Sequence, residues 1–294
     1  MEAIESMPGV SLKKIMFATD FSPVATLAGE YVRALALRFG SEVHIVHVYA
    51  CFDEGLEGVV PGQQQTGGQQ LIEQWNEFRA AGIGTSVSLT SECPTPDALL
   101  LKERQFGPDL IVVGTEPKSP VGRFLLGSTA EHLIRSAISP VLTIAPNSKP
   151  PQEGPLSFKR IVFAADFSDA SNRAGAFALA FAREAGAHLW ICHIATSSTA
   201  GKANPSDDAG QRQFREQLTS FIPREAYDWC TLEYALQHGN PARGILDVAE
   251  RVHADLIIMG ARARSFWLMH VRRGVTQDVL AEANCPVLTV QSLA

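Results

Sequence analysis

The stretch Lys14–Ser22, which reads KIMFATDFS, decides the fold because the chain contains it twice. It returns as Arg160–Ser168, which reads RIVFAADFS. The difference between positions 20 and 166, which is 146 residues, is kept by three further pairs of segments: Val46–Val48 with Cys192–Ile194, Asp109–Gly114 with Asp255–Gly260, and Ser139–Ile144 with Cys285–Val290. One offset held at four separated places indicates a duplicated domain, since solenoid repeats recur at much shorter periods.

Between the two copies lies a segment that is rich in proline and polar residues and poor in residues that pack. Pro150, Pro151 and Pro155 all fall within it, and this composition is typical of a linker. We therefore predict two domains, residues 10–147 and 156–294, joined by residues 148–155.

Within each copy, short apolar runs rich in Ile and Val alternate with stretches of helical period. Continuous apolar runs are typical of parallel strands that are buried on both faces. The clearest helical stretches are Val24–Phe39 and Ala170–Ala185. Ser22 is a good helix cap, and Gly40 and Gly186 are good helix ends. The pattern predicts an α/β protein with two tandem doubly wound domains, each with a five-stranded parallel sheet.

The segment after the second strand of each copy differs from the rest. Cys51–Gln70 and Thr196–Gly210 are polar and rich in Gly, Ser and Gln. We predict that each copy carries a variable flap at this point.

Composition excludes several broad classes. With 46% hydrophobic and 19% charged residues the chain is an ordinary globular protein, and a net charge of −6 disfavours a general nucleic-acid binder. Five cysteines without CxxC spacing indicate reduced thiols. The N-terminus does not resemble a signal peptide and the apolar runs are too short to span a bilayer. We expect a soluble, cytoplasmic protein that does not associate with membranes.

The loops after the first and fourth strands are where a ligand would bind, because open parallel sheets bind ligands beyond the carboxyl ends of their strands. In the first copy the fourth strand ends at Gly114, and a helix opens later with Gly127, Ser128 and Thr129. A helix start of this kind offers backbone N–H groups, a hydroxyl and the positive end of the helix dipole, which suit a phosphate.

These same segments resemble the universal stress protein family. The resemblance rests on ATDFS at residues 18–22, His47 and Val48 at the end of the second strand, DLIVVG at residues 109–114 and PVLTI at residues 140–144. It covers nearly all of both copies. It implies an adenine nucleotide alpha hydrolase-like, Rossmann-like fold and a stress-associated regulatory module that binds ATP.

Members of the family that bind ATP carry the motif G-x2-G-x9-G-[S/T] after the fourth strand. The first copy keeps the spacing, but Pro117 stands where the second glycine is expected. Proline has no N–H, so a backbone contact made at that position is lost. The resemblance implies that Thr19 and Asp20 flank the adenosine and that the backbone of Val48 contacts its adenine ring. The implied nucleotide-binding residues are Ala18, Thr19, Asp20, Val48, Gly114, Gly127, Ser128 and Thr129.

The second copy departs further from the motif. Gly260 is kept, but Ala263 and Arg273 stand at two glycine positions, and Gly274 stands where serine is expected. Its implied residues, a weaker set, are Asp166, Ile194, Gly260, Arg273 and Gly274. Three interpretations stay open: a degenerate loop over an empty cleft, which we favour, an arginine cluster that holds an anion, and an apolar patch at residues 266–269 that binds a partner.

No motif in the sequence supports catalysis or a metal site. G-x-S-x-G, the P-loop lysine and H-E-x-x-H are all missing. His47 and His193 occupy equivalent strand ends without metal-ligand partners at useful spacing, so we predict that both are packed and hydrogen-bonded. Asp20 and Asp166 are each followed by Phe-Ser, which is typical of a strand-to-helix turn with local capping, and such a turn is compatible with ligand binding.

We therefore expect a binding module whose ligand is ATP, with any Mg²⁺ held mainly by the phosphates. The resemblance also implies that the copies pair as an intramolecular pseudo-dimer through Val141–Ala145 and Val287–Gln291, and it leaves open a homodimer of whole chains and an unknown protein partner. The alternatives are a protein that binds no nucleotide and acts through protein–protein contacts, a slow ATPase, and a hydrolase or electron-transfer relative of similar architecture.

Overall fold

The structure, a computed structural model, describes residues 12–49, 63–91, 94–115, 127–151, 156–196, 212, 216, 222–261 and 274–292. The chain divides into two compact units, Ser11–Leu156 and Ser157–Ala294. Among the described helices, none has the length and apolar character that crossing a membrane would need.

The first unit alternates strands and helices from beginning to end. Its strands are β1 (Lys14–Ala18), β2 (Glu42–Val48), β3 (Thr85–Thr90), β4 (Leu110–Gly114) and β5 (Val141–Ile144). Its helices are α1 (Pro23–Phe39), α2 (Gln63–Ala80), α3 (Thr95–Phe106) and α4 (Ser128–Ser136). The strands are parallel and lie in the order β3-β2-β1-β4-β5.

The second unit repeats this plan. Its strands are β6 (Arg160–Ala164), β7 (His188–Ala195), β8 (Thr231–His238), β9 (Leu256–Ala261) and β10 (Val287–Gln291). Its described helices are α5 (Asp169–Ala185), the short α6 (Ala226–Trp229), α7 (Pro241–Arg251) and α8 (Val275–Glu282). The strands are again parallel, in the equivalent order β8-β7-β6-β9-β10. The predicted fold class, two tandem five-stranded parallel sheets, is confirmed.

Both faces of each sheet are covered. Ile15, Met16 and Phe17 follow one another in β1 and point alternately to opposite faces, yet all three are 0% exposed. In β6, Ile161 and Val162 are also 0% exposed. Burial on both faces explains why the strands read in the sequence as unbroken apolar runs.

Helix α1 begins and ends where its sequence signals lie. The Ser22 hydroxyl accepts the backbone N–H of Ala25 at 3.2 Å. Gly40 follows the helix with a φ of 65°, in the left-handed region that glycine adopts without strain. Ser168 and Gly186 cap α5 in the same way.

Helix α2 begins earlier than composition predicts. The sequence indicates a flap over Cys51–Gln70, but α2 starts at Gln63, so that prediction is wrong for positions 63–70. Glutamine is a good helix former, and Leu71 and Phe78, two helical turns apart, anchor the helix because they are 3% exposed. Positions 50–62 and 197–210 lie outside the described residues, so the flap there stays a prediction.

In each unit an aspartate just before the fourth strand accepts hydrogen bonds from the backbone at the start of the first strand. Asp109 Oδ2 accepts the backbone N–H groups of Lys13 at 2.7 Å and Lys14 at 2.9 Å. Asp255 makes the equivalent contacts, at 3.2 and 2.8 Å, with the backbone at the start of β6. Hydrogen bonds to a charged acceptor are among the stronger ones in proteins.

We expect Asp109→Ala to lower the free energy of unfolding of the first unit by about 2 kcal/mol, because two backbone N–H groups lose a charged acceptor. Asp109→Asn keeps an oxygen in reach of both groups and should lose clearly less. Urea unfolding of both variants measures the difference. Equal losses would contradict this account of the aspartate.

His44 in β2 is half-buried and contacts side chains of neighbouring elements. Its Nδ1 lies 2.7 Å from Ser86 Oγ and its Nε2 lies 3.0 Å from Ser88 Oγ. Its ring stacks on Phe106 with 4.9 Å between ring centroids. Burial and, to a smaller extent, the positive charge of Lys102 lower the pKa of His44 below its usual value.

A lowered histidine pKa makes stability depend on pH. The unfolded chain takes up a proton near the usual histidine pKa of about 6.5, whereas the folded unit resists protonation until a lower pH. The stability that neutral His44 contributes is therefore fully present above the usual histidine pKa of about 6.5 and is lost as the pH falls below it. We expect the urea midpoint to fall more for the wild type than for His44→Gln between about pH 7.5 and about pH 5.5. Parallel pH curves would rule this out.

The described cysteines are buried thiols, in agreement with the sequence. Cys192 is 1% exposed and Cys285 is 6% exposed, and neither forms a disulfide. Burial raises the pKa of each of these thiols to about 12, and that of Cys230 to about 11. Protonated thiols of this kind are weak nucleophiles.

Candidate functional site

The candidate site of the first unit lies at the carboxyl ends of its inner strands. The residues implied by the sequence are Ala18, Thr19, Asp20, Val48, Gly114, Gly127, Ser128 and Thr129, and they end or follow β1, β2 and β4 or begin α4. Because β1 lies between β2 and β4, the carboxyl ends of these strands are adjacent. The chain moves outward from β1 to β3 and returns beside β1, so this edge is the topological switch point where such sheets bind ligands.

Gly114 is required by packing. A Cβ at this position would lie 3.0 Å from the backbone nitrogen of Ala25 and 3.0 Å from the carbonyl carbon of Val24. At Gly260 it would lie 2.6 Å from the nitrogen of Ser171. The end of the fourth strand therefore lies against the first turn of the first helix in both units.

The turn between β1 and α1 holds the candidate adenosine residues. Thr19 is 6% exposed, and its hydroxyl accepts the backbone N–H of Phe21 at 3.1 Å. Asp20 is exposed, and its Oδ1 accepts the N–H of Ser22 at 3.0 Å. Local capping by Asp20 is thus confirmed, and its carboxylate lies at the surface of the turn, where a ligand has access.

His47 and His193 are packed and hydrogen-bonded, as predicted. His47 Nδ1 lies 2.8 Å from the carbonyl oxygen of Thr19, and His193 Nδ1 lies 2.7 Å from that of Ala165. A carbonyl accepts, so the proton of each ring lies on Nδ1.

The equivalent turn of the second unit has a different set of internal hydrogen bonds. Asp166 Oδ1 accepts both the backbone N–H of Ser168, at 3.0 Å, and its hydroxyl, at 2.5 Å. The backbone N–H of Asp166 donates to Ser171 Oγ at 3.1 Å. Ala165 replaces Thr19, so the turn has no hydroxyl at that position.

The helices α4 and α8 begin at different points of the repeat. Gly127 caps α4 and Gly274 caps α8, and positions 127 and 274 differ by 147, one residue more than the strand offset. Gly274 therefore caps α8 as Gly127 caps α4. Exposed Ser128 opens α4, whereas Val275 opens α8.

The start of α8 is capped by a side chain from its own first turn. Gln277 Oε1 accepts the backbone N–H of Gly274 at 3.0 Å. The strand offset pairs Gln277 with Glu131 in α4, and that carboxylate lies 2.5 Å from the guanidinium of Arg135. The second unit thus supplies its helix start with an oxygen acceptor.

The structure describes only some of the remaining residues that were predicted for the site of the second unit. Asp166 follows β6, Ile194 lies in β7 and Gly260 lies in β9. Arg273 lies outside the described residues, as do Ala263, the predicted patch at 266–269 and, in the first unit, Pro117. Within the described ranges, no group of three His, Cys, Asp or Glu side chains could hold a metal ion.

Sequence reasoning missed three features of these sites. Phe21 and Phe167 have φ values of 61° and 60°, in the left-handed region that favours glycine. The capping contact of Gln277 was also missed, although glutamine at the third helical position is a recognisable capping signal. The third is the contact of Gly114 and Gly260 with a helix, for which the sequence shows only the glycine.

A family model described as the universal stress protein family matches residues 11–145 and again residues 157–291. A universal stress protein of Thermus aquaticus is 32% identical over 143 residues, which are 46% of this chain and 99% of that protein. One of Mycolicibacterium smegmatis is 23% identical over 236 residues, which are 78% of each chain.

Solved structures give the same fold. A universal stress protein of Archaeoglobus fulgidus superimposes with a TM-score of 0.73 at 19% identity, covering 95% of this chain and 98% of that one. A putative universal stress protein of Pseudomonas aeruginosa gives 0.65 at 18% identity, covering 96% of this chain and 94% of that one. At these identities the likeness concerns the fold alone.

Proposed function

The chain belongs to the universal stress protein family through both of its halves, and we propose from this premise that its first unit binds ATP. The protein acts in this proposal as a cytoplasmic, nucleotide-responsive stress module and not as a dedicated enzyme. Mg²⁺ would enter with the phosphates of the nucleotide.

The observation that carries the proposal is the difference between the two units at equivalent positions. Asp20 and Asp166 both present exposed carboxylates, but α4 opens with the exposed hydroxyl of Ser128, whereas α8 opens with Val275. In the second unit the Ser168 hydroxyl binds Asp166, and Gln277 caps the start of α8. The first unit thus has a hydroxyl at the first position of the helix after its fourth strand, where the second unit has an apolar side chain.

These groups suit the two ends of a nucleotide. A carboxylate beside a strand end accepts hydrogen bonds from ribose hydroxyls, as in other doubly wound folds. The start of α4 places backbone N–H groups and the positive end of the helix dipole where phosphate charge is favoured. The carboxylate of Glu131 in the first turn is offset by its ion pair with Arg135.

Isothermal titration of the full-length chain with ATP tests the proposal. We expect saturable binding with one nucleotide per chain, because only the first unit has Gly-Ser-Thr at the start of the helix after its fourth strand. No binding at millimolar ATP would overturn the proposal and favour a role through protein–protein contacts. Two equivalents per chain would overturn the assignment to the first unit, and phosphate release in the same samples would reveal a slow ATPase.

A further inference from the structure

The turn from Thr19 to Phe21 has a backbone shape that a phenylalanine does not adopt by preference. Phe21 has a φ of 61°, and Phe167 repeats it in the second unit with a φ of 60°. Left-handed backbone brings the Cβ of an ordinary residue too close to its own carbonyl, so such a residue is held there by its surroundings.

The His47 side chain, which comes from β2, contacts the turn at two points. Its Nδ1 donates to the carbonyl oxygen of Thr19 at 2.8 Å, and its ring lies against that of Phe21, with 4.5 Å between centroids. One imidazole therefore fixes both ends of the turn. His193 and Phe167 repeat the contact at 5.0 Å.

Helix α2 supports the imidazole. A Cβ at Gly67 would lie 2.9 Å from His47 Nε2 and 3.1 Å from its Cδ2. Gly67 is buried within α2, so its missing side chain leaves the space that the ring occupies. The imidazole thus contacts both the turn and the helix.

Asp20 lies inside the turn that these contacts fix. Its carboxylate accepts the N–H of Ser22 at 3.0 Å, and its backbone joins Thr19 to Phe21. Without the imidazole, the carbonyl of Thr19 loses a donor and the ring of Phe21 loses its neighbour, while the strain at Phe21 remains. The turn then relaxes, and the carboxylate moves with it.

We propose that His47 is a positioning residue for nucleotide binding, which sets affinity through the Thr19–Phe21 turn without touching the nucleotide. This inference rests on the proposed ATP site of the first unit. It assigns to the strand-end histidine a part beyond packing, and it makes α2 an outer support of the site.

Two substitutions of His47 separate hydrogen bonding from packing. The amide nitrogen of asparagine can occupy the position of Nδ1 and donate to Thr19, whereas the longer glutamine side chain places its amide near the position of Nε2. In titrations of the full-length chain with ATP, we expect His47→Asn to stay close to wild-type affinity. We expect His47→Gln to weaken binding by up to about tenfold, the factor that applies if binding must restore the order that one hydrogen bond gives the turn.

His193→Gln is the matched control, because it makes the same change in the second unit and should leave ATP affinity unchanged. Urea midpoints of the three variants check that each is folded. Equal affinities for His47→Asn and His47→Gln, or an equal loss in His193→Gln, would overturn the proposal.

Hydrogen exchange without nucleotide distinguishes failure of this inference from failure of the proposed function. The Ser22 amide, which donates to Asp20, should exchange faster in His47→Gln than in His47→Asn. If the wild type binds no ATP, the proposed function fails, and unchanged exchange at Ser22 would then refute the positioning of the turn by His47 as well.

Discussion

Gly127→Leu is expected to weaken ATP binding by at least about tenfold, because a branched side chain at the start of α4 would fill the space in front of its first N–H groups. The backbone gives no reason for misfolding. Gly127 has φ −57° and ψ 136°, which any residue adopts. Leucine adds no positive charge that could itself attract a phosphate.

Gly274→Leu is the control for this experiment. Gly274 caps α8 with φ −90° and ψ 161°, so leucine is accommodated there by the same reasoning. Both variants lose the same preference for glycine at a helix cap. If titration finds affinity reduced equally in both, or in neither, then the start of α4 does not hold the phosphates.

Gly260→Ala is expected to lower the free energy of unfolding of the second unit by about 3 kcal/mol, at the upper end of overpacking effects. The new Cβ would lie 2.6 Å from Ser171 N and 2.8 Å from the carbonyl carbon of Ala170. Both are backbone atoms in the first turn of α5, so the clash cannot be relieved by rotation of a side chain.

Two comparisons make the stability measurement specific. Gly114→Ala places its Cβ 3.0 Å from the nearest backbone atoms and should cost less than Gly260→Ala. Gly68→Ala lies in α2 with its nearest neighbour, Leu89 Cδ2, at 3.7 Å, and should be tolerated or stabilising because alanine favours helix. Urea midpoints give the order. A Gly260→Ala protein as stable as the wild type would contradict the close contact.

Much of the fold was predictable because its signals are local. The buried strands appear as apolar runs, and Ser22 and Gly40 mark the ends of α1 through properties of single residues. The packing of His47 was predictable from its place at the end of a repeated strand. Each of these inferences needed only the sequence near the residue concerned.

The features that sequence did not predict depend on contacts between elements. Phe21 has a left-handed φ that residue preference alone argues against, and its ring lies against that of His47, on another strand. Helix α2 includes a glutamine-rich stretch because Leu71 and Phe78 anchor its later turns. The N-cap of α8 lies one residue away from the position given by the strand offset, because α8 is one residue shorter than α4 at its start, while the C-caps Ala137 and Ala283 keep the offset.

The capping contact of Gln277 has a thermodynamic consequence for the chain. A ligand that binds only the folded state stabilises that state by mass action. With ATP bound as proposed, the first unit would have a stability that follows nucleotide concentration. In the second unit the oxygen acceptor at the helix start is the side chain of Gln277. The stability of the second unit would therefore stay constant while that of the first unit changes with the nucleotide concentration.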